Sequence, residues 1–274
     1  MGSQARICQD RPVIRTVILK VLGPWPEHLF LYIEEQIMEN NGVRINKFIS
    51  EAGYCSRRQA DRLLEEGRIT IDGRLPELGQ KVMPGQVVEV DGQPLTKEEE
   101  KIIIAFNKPK GIVCTSGHYK DNIIDYINYP KRIYQVGRLD KDSTGLILLT
   151  NQGDLVNRLL RASNFHEKEY IVTVNKDITR DFLDGMAGGV PILDTVTRKC
   201  KVKALSRRTF SIILTQGLNR QIRRMCEYFD YRVVELKRVR IMNIELGDLE
   251  EGKYRHLTEF ELKKLYKQLK GSRN

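Results

Sequence analysis

A carboxylate stands at the start of a glycine-bounded loop in the middle of the chain. Asp140 follows an Arg-Leu pair, and the loop reaches Gly145 before the apolar run Leu146–Leu149. A loop carried by a rigid strand is a common place for a working side chain. An ionised Asp can attack carbon as a nucleophile or accept a proton as a general base. Asp140 is therefore the first candidate catalytic residue.

The charge distribution indicates a polyanionic partner. The formal net charge is +10, and residues 198–240 hold 13 Lys or Arg against 3 Asp or Glu, so this segment accounts for the whole excess. Such a concentration favours an RNA or DNA surface over general solubility. The five dispersed cysteines fit neither a disulfide framework nor a zinc site, so we expect reduced thiols and no metal. No apolar run approaches the roughly 18 residues of a membrane-spanning helix.

Residues 43–97 are predicted to form a small separate module. Apolar spacing over 43–52 predicts one helix, and Ser56 is a suitable N-cap for a second helix over 57–66. Two short strands, each running into an Asp-Gly turn, are expected within 68–95. Basic side chains crowd the two predicted helices: Arg44, Lys47, Arg57, Arg58 and Arg62.

Residues 102–274 are predicted to form a second domain, separated from the first by the charged linker 96–101. Strands predominate there and rarely alternate with helices, which predicts an α+β class with a mixed, mainly antiparallel β-sheet flanked by helices. The expected helices are 154–162, 218–229 and 259–269, and the last two expected strands are 232–236 and 239–246.

Residues 1–42 form an N-terminal extension with little expected order. The run Val13–Leu22 is too short and too charged to be read as a signal peptide. A short helix is expected at 29–38, and Met38 is an alternative start site.

Several motifs resemble those of known families. Residues 43–73 resemble the S4 RNA-binding domain, with Arg44, Lys47, Ser56-Arg57 and Asp72-Gly73 at matching positions. The segment Gly137–Gly145 resembles the catalytic motif of pseudouridine synthases of the RsuA/RluA superfamily. Three further segments resemble motifs of that superfamily: Lys108–Gly111, Lys168–Tyr170 and Gln216–Met225. The segments 166–170, 189–193, 198–202 and 216–227 are most similar to large-subunit synthases of the RsuA family.

The resemblance implies an isomerase that converts uridine to pseudouridine in RNA without a cofactor or metal. It implies that Asp140 is the catalytic carboxylate, that Arg223 forms a salt bridge with it, and that Tyr170 stacks on the uracil. Asp142, by contrast, is assigned to local structure. A base inside folded RNA must be flipped out to be reached. The implied substrate is a stem-loop of 23S ribosomal RNA. We also expect the protein to be cytoplasmic and monomeric.

Four more residues are candidate RNA contacts. Arg138 either fills the gap left by the flipped base or supports the loop, and Ile222 either walls the uracil or is ordinary core. Arg220 and Arg224 are expected on a basic helix face that meets phosphates, and either could take the place of Arg223 beside Asp140. Arg220 and Arg223 are three residues apart and are expected to share one face of that helix. Three other functions stay open: a non-catalytic S4-type ribosomal RNA-binding protein, an RNA glycosylase that releases uracil, and a synthase for 16S ribosomal RNA or transfer RNA.

Overall fold

The computed structural model describes residues 42–96, 100–115 and 121–270. It divides into two units, with the division between residues 98 and 99. The helix expected at 29–38, the alternative start at Met38 and the low order expected for the extension lie outside the described residues. The centre of the predicted linker lies outside them as well.

The first unit is a helical hairpin with short strands. Ser56 caps the second helix as predicted, because its hydroxyl accepts a hydrogen bond from the Gln59 amide. The first helix begins two residues later than predicted, since Val43 and Arg44 pair with β3 as a strand, and it ends one residue earlier, at Glu51. The elements are β1 (Val43–Arg44), α1 (Ile45–Glu51), α2 (Arg57–Glu65), β2 (Ile69–Ile71), β3 (Lys81–Val82), β4 (Val88–Val90) and β5 (Gln93–Pro94).

The core of this unit comes from the apolar faces of the two helices and the strands. Ile45, Ile49 and Ala60 are fully buried and pack with Ile69 of β2. The charged residues of α2 are left on its outer face, so an amphipathic pattern in the sequence positions the basic side chains.

The second unit is built on one large sheet. The strands of this unit are β6 (Ile103–Lys108), β7 (Tyr134–Val136), β8 (Thr144–Thr150), β9 (Lys168–Val174), β10 (Pro191–Ile192), β11 (Thr195–Val196), β12 (Lys201–Ala204), β13 (Thr209–Leu214), β14 (Val233–Ile241), β15 (Ile244–Glu245) and β16 (Tyr254–His256). Strands β10 and β11 pair with each other in a two-stranded sheet, outside the large sheet. The helices of this unit are α3 (Ile123–Ile127), α4 (Gly153–Leu160), α5 (Arg180–Gly188), α6 (Gln221–Tyr228) and α7 (Glu259–Leu269).

The sheet is mixed and mainly antiparallel, as predicted. Its strand order is β12-β13-β9-β14-β8-β6-β16, with β15 on β14 and β7 on β8. The pairing of β14 with β8 is parallel. Strands β6 and β8 are buried on both faces, because their alternating residues fall in two different core clusters. This explains why both appear as continuous apolar runs.

Two sequence predictions in this unit were wrong, and two helices were missed. The strands expected at 232–236 and 239–246 are largely one strand, β14, which continues across Lys237 and Arg238 through a bulge. The helix expected from residue 218 begins at Gln221, since Arg220 adopts a left-handed backbone conformation. Helices α3 and α5 were not predicted at all.

Candidate active site

Asp140 lies in the loop between β7 and β8. Its neighbour Leu139 is buried, and the Leu139 amide donates to the Cys114 sulfur at 3.4 Å. The Ser143 amide donates to the Asp140 carbonyl at 3.0 Å and closes the turn. Because Leu139 anchors the loop in the core, the next side chain is directed outward, and the Asp140 side chain remains 30% exposed.

The glycine that ends this loop is required by a close approach of two strands. Gly145 has a φ of +99°, which favours glycine. It stands opposite Arg238 in the parallel pairing of β8 with β14. A β-carbon at this position would overlap the backbone of Arg238. The loop that carries Asp140 is therefore fixed at its carboxyl end by direct backbone packing.

Lys108 joins the loop that carries Asp140 to the segment that follows β6. Its side chain is fully buried, and its ammonium donates to the carbonyls of Pro109 at 2.7 Å, Ile112 at 2.8 Å and Lys141 at 3.4 Å. Burial lowers the pKa of this lysine. The motif that begins at Lys108 was noted in the sequence, but its role in joining two loops was not.

Two guanidinium groups flank the Asp140 carboxylate. Arg223 Nε lies 3.7 Å from Asp140 Oδ2, and Arg220 Nη1 lies 3.8 Å from the same oxygen. Arg223 Nη2 donates to the Asp142 carbonyl at 3.4 Å and to the Ser143 hydroxyl at 3.3 Å. Two cationic groups therefore face one oxygen of the same carboxylate.

The two arginines reach Asp140 from different backbone settings. Arg223 is buried in the first turn of α6, whereas Arg220 precedes the helix. The expected shared helix face is therefore wrong for Arg220, although both side chains meet the same oxygen. Arg224 folds back to donate to the Asn219 carbonyl at 3.2 Å and is not placed against Asp140.

A cleft of about 810 Å³ opens beside this group. Tyr170 of β9 lines it half-buried, and the Arg238 guanidinium lies 6.0 Å from the centre of the Tyr170 ring. Arg223 is not among the lining residues and lies behind Asp140. The predicted residues that line the cleft are Arg138, Asp140, Tyr170, Arg220 and Ile222.

Two further cations line the cleft, and neither was among the predicted site residues. Lys168 and Tyr170 are two residues apart in β9, so their side chains lie on the same face of the strand. This spacing is the sequence signal that could have identified Lys168 as a residue of the cleft. Burial, together with the charge of Arg238, lowers the pKa of Lys168 to about 8. Arg238 is 3% exposed, its Nε donates to the Leu146 carbonyl at 2.6 Å, and its Nη2 is buried without a hydrogen-bond partner.

The basic segment 198–240 does not form one cationic surface. Arg207 and Arg208 pair with Asp177, and Arg240 pairs with Glu167 and Glu169. Arg223 and Arg238 are buried. Much of the concentrated charge is thus used within the fold. In the first unit, Lys47 pairs with Glu51 at 3.5 Å, while the other predicted RNA contacts are exposed: Arg44, Arg57, Arg58 and Arg62.

Within the described parts of the chain, no group of three or more His, Cys, Asp or Glu residues is placed to hold a metal ion. Over those same residues, every helix is too short or too polar to traverse a lipid bilayer.

Comparison with known proteins decides the family. The model of the RNA pseudouridylate synthase family matches residues 102–228, and the S4 domain model matches residues 43–88. The dual-specificity RNA pseudouridine synthase RluF of Escherichia coli (strain K12) is 53% identical over 86% of this chain and 82% of its own length. The chain belongs to the RsuA family of RNA pseudouridine synthases.

More distant members agree with this assignment. The ribosomal large subunit pseudouridine synthase B of Bacillus subtilis (strain 168) is 35% identical over 81% of this chain and 95% of its own length. A crystal structure of a pseudouridylate synthase is 30% identical, with a TM-score of 0.61, over 81% of this chain and 99% of that one. The predicted family and fold class are confirmed, and the enzyme is an isomerase acting on RNA.

Proposed function

We propose that this synthase isomerises uridine in a 23S ribosomal RNA stem-loop, with Asp140 as the catalytic carboxylate. The observation that carries the proposal is the position of Asp140, at the edge of a cleft and 3.7 Å from the buried Arg223. An acidic side chain held between two guanidinium groups is oriented, which both nucleophilic attack and proton abstraction require.

The chemistry exchanges one bond to the sugar for another. The N1–C1′ bond breaks, the uracil turns within the cleft, and C5 bonds to C1′. The proton on C5 is then lost and N1 gains one, so no water or redox partner is consumed. Asp140 acts either by attacking the sugar or by taking a proton from it, and the free uracil must be retained between the two bond changes.

Tyr170 is proposed to retain the base. A planar ring stacks on a pyrimidine without fixing its edge, so the base can rotate while it stays bound. Ile222 is 4% exposed and also packs with the apolar core beneath the sheet, so it can serve as a wall of the cleft and as core. Arg138 is exposed at the cleft, where it can reach the RNA from which the base has been flipped.

The S4-like domain, residues 43–97, is proposed to dock the RNA. Its exposed Arg57, Arg58 and Arg62 lie on one short helix, α2, and suit contacts to phosphates. The E. coli relative is named for dual specificity. We therefore include a second structured RNA, such as transfer RNA, among the proposed substrates. We propose that the synthase works as a monomer in the cytoplasm, where ribosomal RNA is found.

The test compares Asp140→Asn and Asp140→Ala with the wild type. Pseudouridine is mapped in ribosomal RNA from cells carrying each protein, by carbodiimide-dependent stops of reverse transcription. We expect both variants to lose modification and to keep RNA affinity. Asp142→Asn is the matched control, because the contact of Asp142 with Arg223 uses the main-chain carbonyl.

Two outcomes would overturn this assignment. Full modification by Asp140→Ala would remove the carboxylate from the mechanism. Release of free uracil by the wild type, without formation of pseudouridine, would make the protein a glycosylase.

A further inference from the structure

Phe165 is an exposed aromatic residue in an unfavourable backbone conformation. It follows the 3₁₀ turn Ala162–Asn164, with φ of 53° and ψ of 30°, and 59% of its surface is exposed. A bulky side chain in the left-handed region costs conformational energy, and exposure means that little burial offsets the cost. An outlier of this kind points to a function for the ring outside the folded core.

Arg198 covers one face of this ring. Its guanidinium carbon lies 4.3 Å from the ring centre. The guanidinium is held in place by carbonyls, since Nη1 donates to Ala162 at 2.8 Å and to Thr215 at 3.4 Å. The position of the ring is thus fixed by an ordered cation, and the accessible ring surface is the side away from Arg198.

The pair adjoins the cleft that holds Asp140. Ala162 and Thr215, the two residues whose carbonyls bind Arg198, both line that cleft. Two exposed cations lie close to this pair in the sequence. Arg161 directly precedes the turn that ends at Phe165, and Lys199 directly follows Arg198. A flat aromatic surface beside positive charge suits a nucleobase with its phosphate, and aromatic and guanidinium planes are the usual stacking partners of unpaired bases.

We propose that Phe165 and Arg198 form a stacking platform for an RNA base next to the target uridine. The proposal rests on the proposed function, because it takes the occupant of the cleft to be a flipped uridine. Flipping one base leaves its neighbours partly unstacked. A platform at the edge of the cleft would replace the lost stacking for one of them and would stabilise the open form of the RNA.

The test measures equilibrium affinity for a stem-loop RNA that contains the modified uridine. We expect Phe165→Ala to weaken binding by roughly five- to 150-fold, the effect of losing one stacked base. Phe165→Trp should retain affinity. Phe260→Ala is the matched control, because Phe260 is 73% exposed on α7 and does not line the cleft. Unchanged thermal unfolding of Phe165→Ala would show that the fold is kept.

A second series identifies the base. The same RNA is made with an abasic site at each of the two nucleotides on either side of the uridine. At one position, removal of the base should weaken wild-type binding but leave the affinity of Phe165→Ala unchanged. Equal affinity of Phe165→Ala and the wild type for intact RNA would overturn the proposal. The proposal would also fail if, at all four positions, the abasic site weakened binding by the same factor in Phe165→Ala as in the wild type.

These results are separable from failure of the proposed function. Product formation by the wild type tests the catalytic proposal, whereas the comparison of Phe165→Ala with Phe260→Ala uses RNA affinity alone. A wild type that forms no pseudouridine, together with loss of affinity only in Phe165→Ala, would overturn the reaction and leave the platform standing.

Discussion

Arg223 approaches Asp140 with a single nitrogen: Nε lies 3.7 Å from the carboxylate, while Nη2 is directed to the loop that carries it. The 3.7 Å separation exceeds a hydrogen bond, so the contact is ionic and can shorten when substrate enters the cleft. One buried guanidinium therefore places a positive charge beside the carboxylate and holds the Asp142 carbonyl and the Ser143 hydroxyl.

Both roles of Arg223 are open to substitution. We expect Arg223→Gln to lower kcat by about 100-fold or more, because it removes a preorganised charge beside the reacting group. Arg223→Lys should lose less, since it keeps the charge but not the planar fork. Single-turnover rates with saturating enzyme measure the step directly. Arg224→Lys is the control and should change the rate little, and equal rates for Arg223→Gln and the wild type would contradict the ion-pair role.

Tyr170 should act through its ring more than through its hydroxyl. We expect Tyr170→Phe to keep most of kcat/KM and Tyr170→Leu to lose roughly five- to 150-fold, the effect of removing one stacking interaction. Steady-state kinetics on the stem-loop measure the difference. Tyr228→Leu is the matched control at a 56% exposed position. Similar losses in Tyr170→Phe and Tyr170→Leu would assign the role to the hydroxyl.

Lys168 should make the stability of the free protein depend on pH. Burial lowers its pKa from 10.5 to about 8, so the unfolded chain binds this proton more tightly than the folded one. The loss of folding stability caused by burying the charged Lys168 is therefore complete below pH 8, and it disappears as the pH rises towards 10.5. Lys168→Met should be more stable than the wild type at about pH 7, by up to about 3 kcal/mol.

Urea unfolding across this pH range measures the difference. The advantage of Lys168→Met should shrink as the pH rises from about 8 to 10.5. Lys264→Met, at an exposed position on α7, should show no such change. If the difference in free energy of unfolding between Lys168→Met and the wild type stays constant with pH, then Lys168 is not buried as a charge.

The arginines of α2 should govern the salt dependence of RNA binding. We expect the triple change of Arg57, Arg58 and Arg62 to Gln to weaken binding. The slope of log Kd against log salt should fall by roughly one for each phosphate that the variant no longer binds. A control variant changes Lys263, Lys264 and Lys267 of α7 to Gln, which lowers the net charge by the same amount. Equal slopes for the two triples would refute a docking role for α2.

Local sequence patterns predicted the parts of the fold that depend on local chemistry. Ser56 was predicted as an N-cap because its hydrogen bond spans only three residues. Thr258 and Glu261 have the same local spacing, and the structure forms a capping box there. Asp140, Tyr170 and Arg223 were chosen from motifs as catalytic residues. The structure places Asp140 and Tyr170 in one cleft, whereas Arg223 contacts Asp140 from behind and does not line that cleft. Their catalytic roles stay predictions.

The parts that were missed depend on contacts between distant segments. The merging of the last two expected strands needs the parallel pairing of Arg238 with Gly145, which lies far away in the sequence. The part played by Lys108 is set by the Lys141 carbonyl in another loop. Phe165 could not be predicted as a contact of Arg198, because an isolated aromatic residue carries no periodic signal and only the folded chain sets it beside Arg198.

The buried ammonium of Lys108 has a consequence for how the synthase meets its RNA. Because it binds carbonyls of two segments in the free protein, the backbone around Asp140 is already arranged before any substrate arrives. The entropy of ordering that loop is lost once, during folding, and not again at each encounter. The free energy of association thus remains available for extracting a nucleoside from its helix. The RNA changes conformation on binding, whereas the loop that carries Asp140 does not need to.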